Sequence, residues 1–251
     1  MFQRAGLIGV LLLGGCDLID QGRDLIGDLT NPLVTQALVL GVAPPDEASD
    51  IDLPSEYAEG AGATVFLADA ADVADLENAP ISGATVTLHG QAVGELAPGS
   101  YALEPGAISY ESGGTWQLAV TLSGDTATAA VDLPPAASFT VPQSHTANTG
   151  FSVDLTGQDY DGAFVVVVDQ DGNIVWDNRP EDIRGVYELT RGEPAGEVAI
   201  PAEAFPQVGA YLVGVAGIRT TTGREDLEGM NTVLSTMMAG QLKFEPLVVA
   251  P

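Results

Sequence analysis

The residues Ala163-Phe-Val-Val-Val-Val168, Asp169-Gln-Asp-Gly-Asn173 and Ile174-Val-Trp176 decide the fold class. An apolar run rich in valine, a turn of Asp, Gly and Asn, and a second apolar run are typical of a β-hairpin. Short runs of this kind, separated by turn residues, recur about every ten residues on both sides of the hairpin, as in sandwiches and barrels. The sequence therefore predicts an all-β fold.

The predicted strands fall into two sets. The first begins at Leu33–Val42, and the last strand of the second set is predicted at Leu242–Val249. Pro134-Pro135 and the polar residues 142–148 interrupt the pattern between them. We predict two β-sandwich domains, immunoglobulin-like or prealbumin-like, at residues 33–133 and 149–251, joined by a linker at residues 134–148.

The N-terminus has the three parts of an export signal. Arg4 supplies the charge, residues 5–13 are apolar, and Gly14-Gly15 are the small residues expected before a cleavage site. The apolar stretch is far shorter than the ~20 residues that a membrane-spanning helix needs. We predict a signal peptide at residues 1–15 that is removed from the mature chain.

Leu13-Gly14-Gly15-Cys16 resembles the lipobox of bacterial lipoproteins. The resemblance implies cleavage before Cys16, lipid on its thiol, and a lipidated tether at residues 16–32. Two or more acyl chains anchor a protein stably, whereas one binds marginally. Cys16 is the only cysteine, so the rest of the chain has no thiol for a disulfide. We expect an exported protein anchored to a bacterial membrane, in the periplasm or at the cell surface, with the leaflet left open.

A second resemblance lies within the first strand set. Ile81-Ser-Gly-Ala-Thr-Val-Thr-Leu88, followed by Pro98-Gly-Ser-Tyr101, resembles the pattern of carboxypeptidase-regulatory and prealbumin-like β-sandwiches, over roughly residues 63–133. In that fold the pattern is structural, and the tyrosine packs at a strand corner. The resemblance implies a sandwich domain and no activity.

The charge is strongly one-sided, with 35 acidic and 8 basic residues and a net charge of −27. Nucleic-acid binding requires a basic surface, so we exclude it. The hydrophobic content of 45% is too high for a disordered acidic tail. An acidic surface of this kind suits a salty environment, where screening limits self-repulsion, or a protein loaded with calcium. Composition does not choose between these two.

The residue types for catalysis are scarce. His89 and His145 are the only histidines, they fall at a strand end and in the linker, and no Gly-x-Ser-x-Gly elbow occurs. Zinc sites require clustered His and Cys. Trp116 alternates in phase with apolar neighbours and so does Trp176, which predicts core positions rather than a sugar-stacking face. The sequence favours a protein that is not an enzyme and needs no cofactor.

One acidic group is a candidate metal site. Asp159-Tyr-Asp161-Gly and Asp169-Gln-Asp-Gly172 each carry Asp-x-Asp-Gly, although neither completes a twelve-residue calcium loop. Pairing across the hairpin is expected to bring Asp177 back towards Asp161, so Asp159, Asp161 and Asp177 form a candidate calcium site. Both stretches are also ordinary turn sequences.

The sequence leaves two functions open. The first is a membrane-anchored structural or interaction module at the envelope, with an unidentified protein or glycan partner. The alternative is a calcium-dependent binding module.

Overall fold

The structure is a computed structural model that describes residues 31–43, 51–57, 59–70, 79–178, 196–221 and 226–251. The predicted signal peptide, Cys16 and nearly all of the tether lie outside these residues. The sequence also predicts a strand at residues 186–189, which lies outside them too. In the described residues the regular structure is β-strand, with two short 3-10 turns at Ser55–Tyr57 and Ala202–Ala204 and no α-helix. The all-β prediction is confirmed.

Seven strands precede the predicted linker: β1 (Leu33–Val42), β2 (Gly60–Asp69), β3 (Thr85–Leu88), β4 (Gln91–Ala97), β5 (Ser100–Ile108), β6 (Thr115–Leu122) and β7 (Asp125–Asp132). The strands from the linker onwards are β8 (His145–Thr146), β9 (Phe151–Asp154), β10 (Gly162–Asp169), β11 (Ile174–Asp177), β12 (Glu197–Ile200), β13 (Gly209–Thr220), β14 (Leu227–Glu228) and β15 (Thr236–Ala250).

One continuous sheet contains strands from both halves of the chain. Among the described residues its order is β11-β10-β13-β15-β1-β2-β5-β4-β3-β6-β7-β14, with β8 paired to β15, while β9 and β12 form a separate pair. The sheet turns a corner at β4, which bonds to β5 on one side and β3 on the other. The two layers of the first half are thus parts of the same sheet folded over a core.

The C-terminal strand β15 joins the two halves. It pairs with β13 in antiparallel and, through residues 236–242, with β1 in parallel. The turn before it is tied to the start of β1, because Ser235 Oγ accepts a hydrogen bond from Thr35 N at 3.0 Å and Leu234 O accepts one from Gln36 Nε2 at 2.7 Å. The limits of the two predicted domains stay a prediction. Strand β15 pairs with strands of both halves, so the two halves share one sheet.

Three apolar cores lie on the two faces of the sheet. On the inner face, Val65, Leu118 and Met237 belong to a core enclosed between β1-β2-β5 and β3-β6-β7. Val165 and Val213 belong to a second inner core, beneath the β9–β12 pair. The outer face carries a third core over β10, β13 and β15. The sandwich prediction is confirmed in this layered form.

Turn residues set the hairpins. His89 and Gly90 both have positive φ, at 47° and 79°, as the two-residue turn between β3 and β4 requires. Gly99 follows Pro98 with φ 70°, and a Cβ on it would lie 2.7 Å from the carbonyl oxygen of Leu67. Glycine is therefore needed at position 99 for both its conformation and its contact.

The strand boundaries correct the sequence prediction in three places. The sequence predicts two separate strands, at 100–103 and 107–110, whereas Ser100–Ile108 form one strand, β5, whose register against β2 shifts between Ala61 and Ala63. β4 was not predicted, because Val93 is its only β-branched residue. β15 begins at Thr236 rather than Leu242, since its methionine and glycine residues carry little strand signal.

Candidate functional site

The predicted hairpin is present. β10 and β11 pair in antiparallel, with a register shift between Val167 and Val168. Asp169 accepts hydrogen bonds from the backbone N–H groups of Asp171 and Asn173, at 2.9 and 2.8 Å. Partial burial opposes ionisation, but these bonds and the side-chain amide of Asn173 together lower the pKa of Asp169. Asp169 thus shapes the turn.

The three aspartates of the candidate calcium site are not brought together. Asp177 is opposite Val166, which lies five residues beyond Asp161, or roughly 16 Å at ~3.3 Å per residue. The expectation that Asp177 returns to Asp161 is therefore wrong. Within the described ranges, no three His, Cys, Asp or Glu side chains form a group that could hold a metal ion.

Asp159 and Asp161 have other partners at the end of β13. Asp159 forms an ion pair with Arg219. The Oδ2 atom of Asp161 accepts hydrogen bonds from the backbone N–H of Thr220 at 2.8 Å and from its hydroxyl at 3.1 Å. These contacts hold the start of β10 against the end of β13. Calcium binding by the protein stays a prediction for a titration to decide.

The two histidines contact structural partners. The ring of His89 stacks on Trp116, with centroids 5.4 Å apart. His145 Nε2 lies 2.7 Å from the carbonyl oxygen of Thr149, and its ring packs edge-on against Phe205 at 4.9 Å. His145 is therefore half-buried among aromatic residues rather than solvated.

The aromatic residues singled out from the sequence lie in or against the cores. Trp116 is 4% exposed, which confirms its core assignment, and Trp176 packs in part against the second inner core. Tyr101 is buried, its hydroxyl accepts a hydrogen bond from Ala84 N at 3.1 Å, and it donates one to Ile81 O at 3.3 Å. It therefore ties the β4–β5 hairpin to the chain before β3.

A groove that the sequence did not predict lies on the outer face of the sheet. It has a volume of about 580 Å³ and crosses β1, β2, β5 and β4. Leu38, Leu40, Tyr57 and Phe164 line the side of the groove next to the outer core, and Leu96 lies at the opposite side. No short motif signals it, because its residues come from six separate parts of the chain.

The basic residues of the described part are Arg219 and Lys243. Arg219 pairs with Asp159, and Lys243 Nζ lies 2.9 Å from Glu245 Oε1. Both pairs are partly or largely exposed, and such pairs contribute under about 1 kcal/mol. In the part of the chain that the structure describes, both cationic side chains are therefore paired with carboxylates, and the surface charge is negative.

No family model matches the chain, and no curated protein matches it. Solved structures that align with it include "Tandem Ig repeats of Dlar" (9% identity, 88% of this chain, 100% of that chain, TM-score 0.27) and a chimeric titin Z1Z2-Z1Z2 tandem (14%, 87%, 98%, TM-score 0.22). The BSP domain of a biofilm-associated protein aligns at 13% identity over 88% of this chain and 30% of that chain, with a TM-score of 0.23. TM-scores this low do not establish a relationship to any of these proteins.

The strands themselves define the class: an all-β protein whose sheets pack as β-sandwiches. In the described residues, no helix has the length and apolar character to cross a membrane.

Proposed function

We propose that this chain is an exported bacterial lipoprotein, anchored through lipid on Cys16, whose β-sandwich body acts as an interaction module at the cell envelope. The lipobox-like Leu13-Gly14-Gly15-Cys16 supports the anchor. Leu33 opens the first strand directly after the predicted tether, so the anchor is joined to the central sheet through β1.

The observation that carries the interaction role is the outer-face groove. Exposed apolar surface that is contiguous and concave marks sites of interaction in water-soluble bodies. The contacts of His89 and His145 with aromatic and backbone partners support a role that is not enzymatic.

Lipid labelling tests the anchor. In a bacterial host fed radiolabelled palmitate, the full chain is expected to take up label and to sediment with membranes. Cys16→Ala is expected to do neither, since the thiol is the attachment point, while Ser144→Ala serves as a matched control that labels normally. Equal labelling of Cys16→Ala would contradict the lipoprotein proposal.

Cross-linking in the native envelope tests the module. The body is poor in lysine, so a carboxyl-directed reagent is the suitable cross-linker. We expect a discrete adduct with the anchored chain that is lost when Cys16→Ala mislocalises it. An anchored protein that forms no adduct in its own envelope would contradict the interaction role.

A further inference from the structure

The groove exists because its floor is made of small residues. Thr64 on β2, Ala102 on β5 and Gly94 on β4 are successive partners across the sheet and form this floor. A Cβ added to Gly94 would meet only the carbonyl oxygen of Ala102, at 3.9 Å, so the space above it is open. Glycine weakens a strand interior and often marks a site where another chain approaches closely.

The sides of the groove are apolar and partly uncovered. Leu38 and Leu40 are half-buried, although they lie on a sheet whose other face is a closed core. Leu96 is 74% exposed at the rim. Among the described residues, the segment around Tyr57 covers the outer core beside the groove and stops at its edge. The face is therefore an apolar surface that a further chain segment can cover.

The rim indicates the charge of the occupant. Glu104 lines the groove, and Glu59 lines a smaller cavity that shares Val42 with it. Arg219 and Lys243 are paired elsewhere. A second copy would bring one net charge of −27 against another, which favours a basic partner instead.

The chemistry of the groove favours a peptide over a sugar. Sugar sites stack on exposed aromatic faces, whereas the aromatic residues at the groove, Tyr57 and Phe164, are 3% and 4% exposed. Leucine side chains beside a floor of Thr64, Ala102 and Gly94 fit an extended peptide with aliphatic side chains.

We propose that the groove binds a segment of an envelope protein that has aliphatic side chains flanked by lysine or arginine. The aliphatic residues occupy the space above Gly94 and Ala102, and the flanking cations lie beside Glu104 and the surrounding carboxylates. This inference rests on the proposed interaction role and names the surface and the partner chemistry.

Peptide titration tests the proposal with the full lipid-anchored chain in phosphatidylcholine nanodiscs, and empty discs give the blank. The probe is fluorescein-labelled Lys-Lys-Leu-Val-Leu-Val-Lys-Lys. One comparison peptide has glutamates for the lysines, and another has Ser-Gly-Ser-Gly as its core. In fluorescence polarisation, each comparison peptide is expected to bind at least about tenfold more weakly, a difference of ~1.4 kcal/mol.

Two variants locate the binding in the groove. Leu96→Lys adds a positive charge to the rim and Gly94→Phe fills the floor, so each is expected to weaken binding of the lysine peptide by about tenfold or more. Their matched controls are Val248→Lys, at an exposed valine (58%), and Ala92→Phe, at an exposed position of β4 outside the groove. The controls are expected to stay within about twofold of the parent.

Two kinds of result would contradict binding in the groove. Equal binding of the acidic or polar-core peptide, or equal losses in variants and controls, would overturn the groove proposal. Because Leu96 is largely exposed, its substitution keeps the test valid even where Gly94→Phe fails to fold. A native adduct that survives Leu96→Lys would overturn the groove while leaving the interaction role intact, whereas an envelope without any adduct would overturn the role itself.

Discussion

Tyr110 and Tyr160, from opposite sides of the predicted linker, donate hydrogen bonds to its first two carbonyl groups. The Tyr110 hydroxyl lies 2.9 Å from Pro134 O, and the Tyr160 hydroxyl lies 3.2 Å from Pro135 O. The two rings lie over glycines of the central sheet, Tyr110 over Gly41 of β1 and Tyr160 over Gly217 of β13. The start of the linker is thus fastened to both halves.

Replacing Gly217 with alanine is expected to destabilise the protein. A Cβ there would lie 2.4 Å from ring carbons of Tyr160, so the ring must move away from the sheet and from Pro135. Overpacking of this kind costs about 1–3 kcal/mol in the free energy of unfolding, measured by urea denaturation.

Gly94→Ala is the matched control. A Cβ at Gly94 is in ordinary contact, and alanine is about 0.5–1 kcal/mol better than glycine in a strand interior. It should leave stability unchanged or raise it. A Gly217→Ala protein as stable as Gly94→Ala would show that the Tyr160 ring does not depend on the glycine.

Stability is expected to fall above about pH 10, where tyrosine ordinarily ionises. Burial, with the nearby Tyr160 adding to it, raises the pKa of Tyr110, and burial raises the pKa of Tyr160 against an opposing effect of Arg219. The unfolded chain then loses these protons first, so the folded state loses stability as the pH rises further. One such group contributes at most about 1.4 kcal/mol per pH unit.

Denaturant unfolding between pH 8 and 12 measures this slope. Tyr110→Phe should make the slope shallower, and it should also cost about 1–3 kcal/mol at neutral pH by leaving Pro134 O without its donor. Tyr211→Phe, which removes a local bond to Gln207 O, is the control. An unchanged alkaline slope in Tyr110→Phe would contradict the assignment.

Local sequence patterns predicted most of the strands but not how they assemble. β1 runs from Leu33 to Val42 as predicted, because an apolar run of this length that ends in turn residues favours a buried strand. The parallel pairing of β1 with residues 236–242 has no local signal, since it joins segments about two hundred residues apart. Pairing of this kind depends on complementary faces that a single strand does not reveal.

The candidate site was harder to predict for the same reason. The position of Asp177 depends on the register of the hairpin, which the sequence alone does not reveal. The structure places Asp177 opposite Val166 rather than beside Asp161. The groove depends on Gly94 and Ala102 being side by side on different strands, which only the sheet order shows. Residue types identified the acidic character, and tertiary pairing determined where apolar surface was left uncovered.

Cutting the linker is expected to leave the two halves associated. A specific protease site inserted after Ser144 would give two fragments, but β15 still pairs with β1, and Met237 and Ala239 still lie in the first inner core. The cut chain should elute as one species on gel filtration and separate only in denaturant. Two fragments that separate in native buffer, each unfolding cooperatively, would instead show independent domains.

The last prediction concerns the acidic surface. If its carboxylates are solvated charges, potassium chloride should raise the melting temperature gradually, because the Debye length falls from ~10 Å at 0.1 M to ~3 Å at 1 M. Asp159, at 90% side-chain exposure, has only a surface pair with Arg219, and no single carboxylate of this kind contributes more than about 1 kcal/mol.

A calcium site would behave differently. Stabilisation would rise logarithmically with calcium above the dissociation constant, and magnesium would substitute poorly because it demands octahedral geometry. Asp161 already accepts two hydrogen bonds from Thr220, and Asp177 lies opposite Val166 rather than beside Asp161. We therefore expect calcium and magnesium to change the melting temperature equally at matched ionic strength. Asp161→Asn should lower the melting temperature with and without calcium, because it weakens the bonds to Thr220. A saturable, calcium-selective rise that Asp161→Asn abolishes would contradict this and establish the calcium-dependent module.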